Sequence, residues 1–486
     1  MTESLLKFVE RDQAYPGKRD AAARREDFAE IYAPYAQAAA QAQSARCSQC
    51  GVPFCQHHCP LSNAIPDWLM LAAQGRLQEA YQRSAATNLM PEICGRICPQ
   101  DRLCEGGCVI EQSGHGSVTI GAIETYITEN AWDEGWVEPL RPGPARGQSV
   151  GVIGAGPAGL SAAERLRELG YDVVVYDRYD RPGGLLIYGI PNFKLDKTIV
   201  ERRCARLAAG GITFELNTEV GADITVESLR DRHDAVLIAV GAYQPRALQC
   251  PGAGADGVAA ALDFLTAANR AGLGDRVPEH ETGALHAAGK RVVVIGGGDT
   301  AMDCVRTAVR QGAASVHCLY RRDQANMPGS AREVGHAQEE GVAFDWLAAP
   351  SAVLTHDGRA SRVRAARMRL GPPDASGRRA PEPIPGASFD READLVIKAL
   401  GFEPDHLPQR LGAPDLKVNR WGAAQVDFAT LATNLPGVFA AGDCARGASL
   451  VVWAIRDGRE AAKGVHDYLM AQAAAPASPA RVVAAA

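Results

Sequence analysis

Eight of the thirteen cysteines of this 486-residue chain lie close together, in two groups of four between Cys47 and Cys108. The first group has the spacing Cys-x2-Cys-x4-Cys-x3-Cys-Pro, and the second has the spacing Cys-x3-Cys-Pro-x4-Cys-x3-Cys. Four thiolates are the number that a four-iron cluster needs, and a cysteine followed by proline is common in bacterial cluster-binding sequences. We therefore predict an iron–sulfur domain whose metal ligands are Cys47, Cys50, Cys55, Cys59, Cys94, Cys98, Cys104 and Cys108.

The alternative for these cysteines is a pair of structural zinc sites, each with four thiolate ligands. Zinc ribbons more often carry two Cys-x2-Cys knuckles, and here only Cys47 and Cys50 form one. In a reducing compartment, clustered cysteines bind metal far more often than they form disulfides. Iron–sulfur binding is therefore favoured.

Composition and charge exclude several other classes of protein. The formal net charge is −6, whereas nucleic-acid binding usually needs a basic face. The N-terminal sequence lacks the basic-then-apolar order of a secretory signal, and no apolar run approaches the ~20 residues that cross a bilayer. We predict a cytoplasmic protein that binds neither nucleic acid nor membrane.

A glycine-rich turn follows a Pro- and Gly-rich linker at 141–147. The sequence Gly-Ala-Gly-Pro-Ala-Gly at 154–159 stands between a predicted strand and a predicted helix. Glycines at this spacing allow a tight turn and close approach of a pyrophosphate, and the helix N-terminus attracts its charge. Asp177 ends the next predicted strand, where a carboxylate can bind a ribose hydroxyl. The predicted contacts of this first dinucleotide site are Gly154, Gly156, Pro157, Ala158, Gly159 and Asp177.

Two further segments favour FAD over NAD at the first site. A double glycine at 183–184 lets the backbone approach a cofactor closely, and an apolar strand ends in Gly442-Asp443. These features resemble the flavoproteins with two dinucleotide domains, in which such an aspartate commonly faces the ribityl or pyrophosphate part of FAD. A helix that begins near 448–452 would aim its N–H groups at the flavin. The further predicted FAD contacts are Gly183, Gly184, Leu185, Gly241, Gly442, Asp443, Ser449, Leu450 and Val451.

The sequence Gly-Gly-Gly-Asp-Thr-Ala at 296–301 repeats the turn, with alanine at the third glycine position. The next predicted strand ends in Tyr320-Arg321-Arg322 and carries no carboxylate where an NAD site would have one. Guanidinium groups suit a 2′-phosphate because their planar fork pairs with two phosphate oxygens. We predict an NADPH site formed by Gly296, Gly298, Asp299, Thr300, Ala301, Arg321 and Arg322.

These segments, in this order, resemble the small (beta) subunits of NADPH-dependent glutamate synthase over nearly the whole chain. The most specific stretches are Cys-Gly-Arg-Ile-Cys-Pro at 94–99, Tyr-Gly-Ile-Pro-Asn-Phe-Lys-Leu at 188–195, Gly-Asp-Thr-Ala-Met-Asp at 298–303 and Ser-Leu-Val-Val-Trp-Ala-Ile at 449–455. The resemblance implies FAD, NADPH and two [4Fe-4S] clusters. It also implies a hetero-oligomer with a large subunit that carries the glutaminase chemistry and an FMN site.

The resemblance further implies how the cysteines divide between the two clusters. Cys47, Cys50 and Cys55 would join Cys108, whereas Cys59 would join Cys98 and Cys104. The fourth ligand of the second cluster stays open between Cys94 and Glu124, because related pyrimidine-reducing enzymes use a non-cysteine side chain there.

The predicted fold is α/β, with a mainly helical iron–sulfur domain before two Rossmann-like domains arranged as in glutathione reductase. The predicted bounds are 1–145 for the iron–sulfur domain, 146–285 and 401–470 for the FAD domain, 286–400 for the NADPH domain and 471–486 for a disordered tail.

The predicted function is electron input. Hydride would pass from NADPH to FAD, and single electrons would pass through the clusters to the large subunit, which makes glutamate from glutamine and 2-oxoglutarate. Hydride transfer needs no catalytic acid or base, and we predict none. The rival partners are those of a ferredoxin:NADP oxidoreductase or a dihydropyrimidine dehydrogenase. A zinc-stabilised docking module is the alternative from another class.

Overall fold

The computed structural model describes residues 6–375, 377 and 379–474, and its N-terminal unit is helical. Trp68, Ile93 and Ile123 are among its largest fully buried side chains. Prolines stand in the first turns of two of its helices, where the missing N–H removes no helical hydrogen bond. The helices are α1 Lys7–Glu10, α2 Ala21–Arg25, α3 Gln37–Ser44, α4 Phe54–His58, α5 Ile65–Ala73, α6 Leu77–Ala85, α7 Pro91–Ile97, α8 Val109–Gln112 and α9 Ile120–Asp133.

The second unit is built on a five-stranded parallel sheet with the strand order β15-β4-β1-β2-β3. Its β-strands are rich in valine and isoleucine because both faces of the sheet are covered. The elements before the domain crossing are β1 Ser149–Ile153, α10 Pro157–Glu168, β2 Asp172–Tyr176, α11 Leu185–Tyr188, α12 Lys197–Ala209, β3 Thr213–Glu215, α13 Val226–Arg232, β4 Ala235–Ile238 and β5 Gln244–Pro245.

The third unit has a second parallel sheet, with the order β6-β13-β7-β8-β9, and an antiparallel sheet β10-β11-β12. Its elements are β6 Val258–Ala260, α14 Ala261–Gly272, α15 Pro278–Glu281, β7 Arg291–Ile295, α16 Asp299–Arg310, β8 Ser315–Tyr320, α17 Ala331–Glu339, β9 Ala343–Trp346, β10 Ala348–His356, β11 Arg359–Pro373, β12 Arg379–Glu392 and β13 Leu395–Lys398.

One predicted domain boundary differs from the structure. Strand β6 precedes the expected start at residue 286, yet it pairs with β13 at the edge of the second parallel sheet. Helix α14 follows β6 directly and packs on α16. The third unit therefore begins before β6. A strand at the edge of a sheet needs only one neighbouring strand, so it can come from a segment far away in sequence.

The chain returns to the second unit after β13, and β14 pairs with β5 at the crossing. Strand β15 then completes the first parallel sheet beside β4, and the long helix α20 packs along α10. Helix α20 continues to Ala474, past the predicted start of the tail at 471, and residues 475–486 lie outside the described residues. The elements of this return are β14 Phe402–Glu403, α18 Leu407–Arg410, β15 Val438–Ala440, α19 Asp443–Arg446 and α20 Val451–Ala474.

Candidate functional site

The first glycine-rich turn joins β1 to α10 with the backbone geometry that a dinucleotide needs. A Cβ atom at Gly154 would lie 2.4 Å from the carbonyl oxygen of Ala239, and one at Gly159 would lie 1.9 Å from that of Gly154. At Gly156, by contrast, nothing stands within 4 Å of the Cβ position. Two glycines are thus required by close packing, and the open one leaves room for a pyrophosphate.

Asp177 follows β2 and holds the first turn in shape. Its carboxylate accepts hydrogen bonds from the backbone N–H groups of Ala155, at 2.6 Å, and Tyr179, at 2.9 Å. Burial raises the pKa of Asp177, and the two backbone hydrogen bonds oppose that shift. The same side chain lines a cavity beside the turn, so it can both support the turn and face a ribose.

Two arginines and two tyrosines are among the residues of this cavity that were not predicted from the sequence. The guanidinium carbon of Arg178 lies 4.4 Å from the ring centre of Tyr243 and 5.0 Å from that of Tyr179, and Arg410 also lines the cavity. Aromatic faces beside an arginine suit a purine ring. The positions of Arg178 and Tyr179 directly after Asp177 could have pointed to them, whereas Tyr243 and Arg410 come from distant segments.

The remaining predicted FAD contacts converge on the first turn from two sides. A Cβ atom at Gly184 would lie 2.8 Å from Cα of Gly156, and one at Gly442 would lie 2.9 Å from Cβ of Ala158. Gly183 also donates a backbone hydrogen bond to Ala155, at 2.8 Å. Segments about 30 and about 290 residues away in sequence therefore border one turn.

Asp443 begins α19 directly after Gly442. Burial raises the pKa of Asp443 to about 6, and a hydrogen bond from the backbone of Ser449 opposes the shift. The carboxylate thus links the Gly-Asp segment to the predicted contacts Ser449, Leu450 and Val451, which lead into α20. Gly241 follows β4 with φ +71° and places Tyr243 near this edge of the sheet.

The second turn joins β7 to α16 in the same way. A Cβ atom at Gly296 would lie 2.1 Å from the carbonyl oxygen of Ala399, whereas Gly298 has nothing within 4 Å. Asp299 and Thr300 begin α16, and Ala301 is buried against the core of the third unit. Asp299 accepts a hydrogen bond from the backbone N–H of Ser330, at 2.9 Å.

Arg321 and Arg322 come directly after β8, beside the second turn. Within the described residues, no ion pair joins either side chain to a carboxylate, and the buried Nε of Arg322 has no hydrogen-bond partner. A buried donor without a partner is costly, so a ligand oxygen is a natural acceptor for it. The two arginines thus fit a 2′-phosphate.

The eight cysteines line two separate cavities, four in each. The first cavity is lined by Cys47, Cys50, Cys55 and Cys108, and the second by Cys59, Cys94, Cys98 and Cys104 together with Glu124. Among the described residues, no three Cys, His, Asp or Glu side chains converge closely enough to bind a single metal ion. The sulfurs surround each cavity instead, as they must around a multi-iron cluster.

Burial disfavours the thiolate form of three of these cysteines. It raises the pKa of Cys47 to about 11, of Cys55 to about 12 and of Cys59 to about 11. Thiolates bind metal, so ligation requires a cation strong enough to displace the protons.

Cys94 and Glu124 both face the second cavity. The Oε1 atom of Glu124 accepts hydrogen bonds from Ser84 and Asn88, each at 3.2 Å, and burial raises its pKa to about 8 although these bonds oppose the shift. A hydrogen bond with Cys94, together with burial, raises the pKa of Cys98 well above its ordinary value. The geometry therefore leaves both Cys94 and Glu124 within reach of a cluster.

Comparison with known proteins gives the family. Residues 24–136 match the family model described as dihydropyrimidine dehydrogenase domain II, 4Fe-4S cluster, and residues 148–458 match pyridine nucleotide-disulphide oxidoreductase. The glutamate synthase [NADPH] small chain of Azospirillum brasilense is 62% identical over 474 residues, which cover 98% of each chain. The chain belongs to this family of small chains. The small chain of Escherichia coli (strain K12) is 44% identical over 473 residues, covering 96% of this chain and 100% of the other.

The solved structures agree with the fold of this small chain. FprA of Mycobacterium tuberculosis in complex with NADPH superposes with a TM-score of 0.57 at 19% identity, covering 67% of this chain and 85% of the other. The prediction of an iron–sulfur domain followed by a two-domain oxidoreductase is thus confirmed.

Three predictions about function are also confirmed: the chain is an NADPH-dependent oxidoreductase, it is a flavoprotein with FAD, and it has an iron–sulfur domain. The number of clusters and the individual site residues stay predictions. Across the described residues, no helix combines the length and the apolarity needed to cross a membrane.

Proposed function

We propose that this small chain is the electron-input subunit of a glutamate synthase and works with a large subunit in a hetero-oligomer. When bound, NADPH, FAD and two [4Fe-4S] clusters would supply hydride and single-electron transfer to the large subunit, which makes glutamate from glutamine and 2-oxoglutarate. The task of this chain is to bind these groups in line and to orient them. No side chain has to donate or accept a proton in that task.

The residues that we propose for FAD surround the first turn. The open position at Gly156 accepts the pyrophosphate, and Asp177 orients the ribose. Helix α20 begins at Val451, and its free N–H groups and positive dipole end would face a bound flavin and favour the anionic form of its reduced ring. The proposed FAD contacts are Gly154, Gly156, Pro157, Ala158, Gly159, Asp177, Gly183, Gly184, Leu185, Gly241, Gly442, Asp443, Ser449, Leu450 and Val451.

The second turn supports NADPH through the same geometry. Gly298 leaves space for the pyrophosphate, and the unpaired Nε of Arg322 suits a phosphate oxygen. The proposed NADPH contacts are Gly296, Gly298, Asp299, Thr300, Ala301, Arg321 and Arg322.

One contact carries the proposed order of electron transfer. Val452, in the first turn of α20, lines the second cysteine cavity and directly follows the proposed flavin contact Val451. Among the described residues, those that line the first cavity all belong to the N-terminal unit. Electrons would therefore leave the flavin through the second cysteine set and reach the first set afterwards.

An apolar surface marks the proposed exit toward the large subunit. Phe54 and Val109 line the first cavity and are 44% and 41% exposed, and Val52, between Cys50 and Cys55 in sequence, is 66% exposed. Exposed apolar side chains grouped at one place favour contact with another protein. We propose that the large subunit covers this surface.

Reconstitution with a partner tests the proposal. The chain is purified anaerobically and mixed with a glutamate synthase large subunit, and NADPH oxidation is followed with glutamine and 2-oxoglutarate. Oxidation that needs both substrates and both subunits is the expected result. The Cys47→Ser variant should lose this coupled reaction while ferricyanide reduction persists, and Cys250→Ser, outside both cysteine sets, is the matched control.

If the chain reduces ferricyanide but never couples to the large subunit, the glutamate synthase assignment fails. The electron-input subunit of a ferredoxin:NADP oxidoreductase or a dihydropyrimidine dehydrogenase would then be the function to test. Cytoplasmic location stays a prediction of the sequence.

A further inference from the structure

The loop that carries two cysteines of the second set also contacts the NADPH unit. This loop, which we call the cysteine loop, comprises residues 98–105 and is held in shape by its own backbone. The backbone N–H groups of Glu105 and Gly106 donate to the carbonyl oxygen of Gln100, at 2.9 and 3.1 Å. A Cβ atom at Gly106 would lie 2.1 Å from the carbonyl oxygen of Asp101, so the loop closes tightly on itself.

Asp101, in the middle of the cysteine loop, accepts two hydrogen bonds from the third unit. Its Oδ1 atom accepts from the Ser330 hydroxyl at 3.0 Å, and its Oδ2 atom accepts from the backbone N–H of Ala331 at 2.9 Å. Ala331 is the first residue of α17, and its N–H group has no acceptor within that helix. Asp101 therefore provides the acceptor from another domain. Hydrogen bonds to a carboxylate are stronger than those between neutral groups.

The neighbouring contacts of the cysteine loop reach the same segment. Arg102 donates to the carbonyl oxygen of Pro328, and Glu105 accepts from Arg332 at 2.6 Å. Glu105 is buried and also accepts from the backbone N–H of Gly121 at 3.0 Å. The segment 328–332, which we call the bridging segment, is therefore held from the iron–sulfur side at four positions.

The bridging segment in turn lies against the second glycine-rich turn. The backbone N–H of Gly329 donates to the carbonyl oxygen of Gly297 at 2.9 Å, and that of Ser330 donates to Asp299 at 2.9 Å. A Cβ atom at Gly329 would lie 3.2 Å from the oxygen of Gly297, which shows how closely the two backbones approach. One continuous chain of contacts thus runs from the cysteine loop to the turn.

We propose that Asp101 is a positioning residue for NADPH: the cysteine loop holds the bridging segment on the second turn, so NADPH affinity depends on the iron–sulfur unit. This inference rests on the proposed NADPH site at the second turn. Removing the Asp101 carboxylate leaves the buried Ser330 hydroxyl and the Ala331 N–H without an acceptor. The bridging segment then keeps the contacts of Arg102 and Glu105 but loses those of Asp101, and the turn binds the cofactor less tightly without any change in the flavin.

NADPH:ferricyanide reduction by the full chain tests the inference without the large subunit. The Asp101→Ala variant removes both hydrogen bonds and should raise KM for NADPH about tenfold while leaving kcat within about twofold. Ser330→Ala removes one of the two bonds and should shift KM in the same direction by less. Asp101→Asn keeps one acceptor and should restore part of the affinity. Glu79→Ala, in the same unit but exposed and paired with Arg76, is the control and should leave KM unchanged.

Iron and flavin contents are measured for every variant, together with the dissociation constant of NADP⁺ from the flavin spectrum. The inference is overturned if Asp101→Ala, with full iron content, has the KM of the control. If Asp101→Ala loses iron, the inference is judged on Asp101→Asn and Ser330→Ala instead. A wild-type KM for NADPH in both of those variants overturns the inference. The Arg321→Ala variant distinguishes a failure of this inference from a failure of the proposed NADPH site. If Arg321→Ala also keeps the wild-type KM, the proposed NADPH site is itself wrong.

Discussion

Glu92 and Arg203 form a two-pronged ion pair across the boundary between the iron–sulfur unit and the FAD unit, with oxygen–nitrogen distances of 2.7 and 3.0 Å. Both side chains are buried, at 0% and 3% exposure. Burial lowers the pKa of Arg203, but Glu92 and Glu164 outweigh this effect and leave it raised. The charge on each partner is thus stabilised by the other and not by water.

Breaking this pair should destabilise the contact between the two units. Because Glu92→Ala leaves the buried Arg203 charge with only the weaker ion pair to Glu164 at 4.0 Å, we expect a loss of about 3 kcal/mol, measured by urea denaturation followed through flavin release. Glu79→Ala, which removes an exposed partner of Arg76, should leave the midpoint unchanged. The double variant Glu92→Leu with Arg203→Leu should be more stable than Glu92→Ala; equal stability would contradict the argument.

Acid should weaken the contact between the iron–sulfur and NADPH units through Glu340. This buried carboxylate accepts hydrogen bonds from Arg306, at 2.9 and 3.0 Å, and from Arg310, at 2.6 and 3.0 Å. Arg24 of the iron–sulfur unit lies 3.5 Å away. Burial alone would raise the pKa of Glu340, but the hydrogen bonds from Arg310 and Arg306 hold it below the ordinary value of 4.5.

A depressed pKa contributes stability that is present above pH 4.5 and is lost as the pH falls through the folded-state value. Glu340→Gln should therefore lower the thermal midpoint at neutral pH, and its difference from wild type should shrink below pH 4.5. Thermal denaturation at a series of pH values measures this. The exposed Glu227→Gln should follow wild type throughout, and a pH-independent difference for Glu340→Gln would refute the mechanism.

Cofactor choice should depend on the two arginines after β8. Arg321→Ala and Arg322→Ala should each raise KM for NADPH about tenfold, because each removes a charged contact to the 2′-phosphate. KM for NADH should hardly change, since NADH has no such phosphate. Steady-state ferricyanide reduction with both nucleotides measures this, with the exposed Arg276→Ala as control. Equal effects on both nucleotides would place the arginines elsewhere than at the 2′-phosphate.

Iron content should identify the fourth ligand of the second cysteine set. Wild type should contain about eight iron atoms per chain if two four-iron clusters are present. We expect one variant of Cys94→Ser and Glu124→Gln, and not both, to lose about half of that iron, because both side chains face one cavity but only one position is free. Cys250→Ser should keep its iron. Full iron in both variants would mean that neither residue is a ligand.

Local sequence patterns predicted much of the fold. Around 154–159 and 296–301, a glycine-rich turn stands between a strand and a helix, as predicted, because steric limits on the turn act within a few residues. The cysteine spacing likewise predicted a cluster domain, since four thiolates have few other uses. Each of these patterns lies within one short stretch of sequence, where the geometry of the backbone alone determines the local structure.

Contacts between distant segments could not be predicted in this way. Strand β6 joins the second parallel sheet through pairing with β13, more than a hundred residues later, and Tyr243 and Arg410 meet Arg178 in one cavity. No local sequence pattern specifies which distant strand or side chain will be the neighbour, because the packing of whole units against one another determines these contacts. Of the cavity residues, Gly154 and Asp177 carried a positional signal in the sequence, as did Arg178 through its place after Asp177.

The amino-acid sequence by itself determined the kinds of unit in this small chain, since turns, strands and metal-ligand spacings depend on neighbours along the backbone. Only the tertiary structure decided how the units contact one another. Asp101 meets Ser330 across 229 residues, and Val452 meets the second cysteine set across more than 300. Those contacts follow from how the three units bury their shared surfaces, and that burial is a property of the folded chain as a whole.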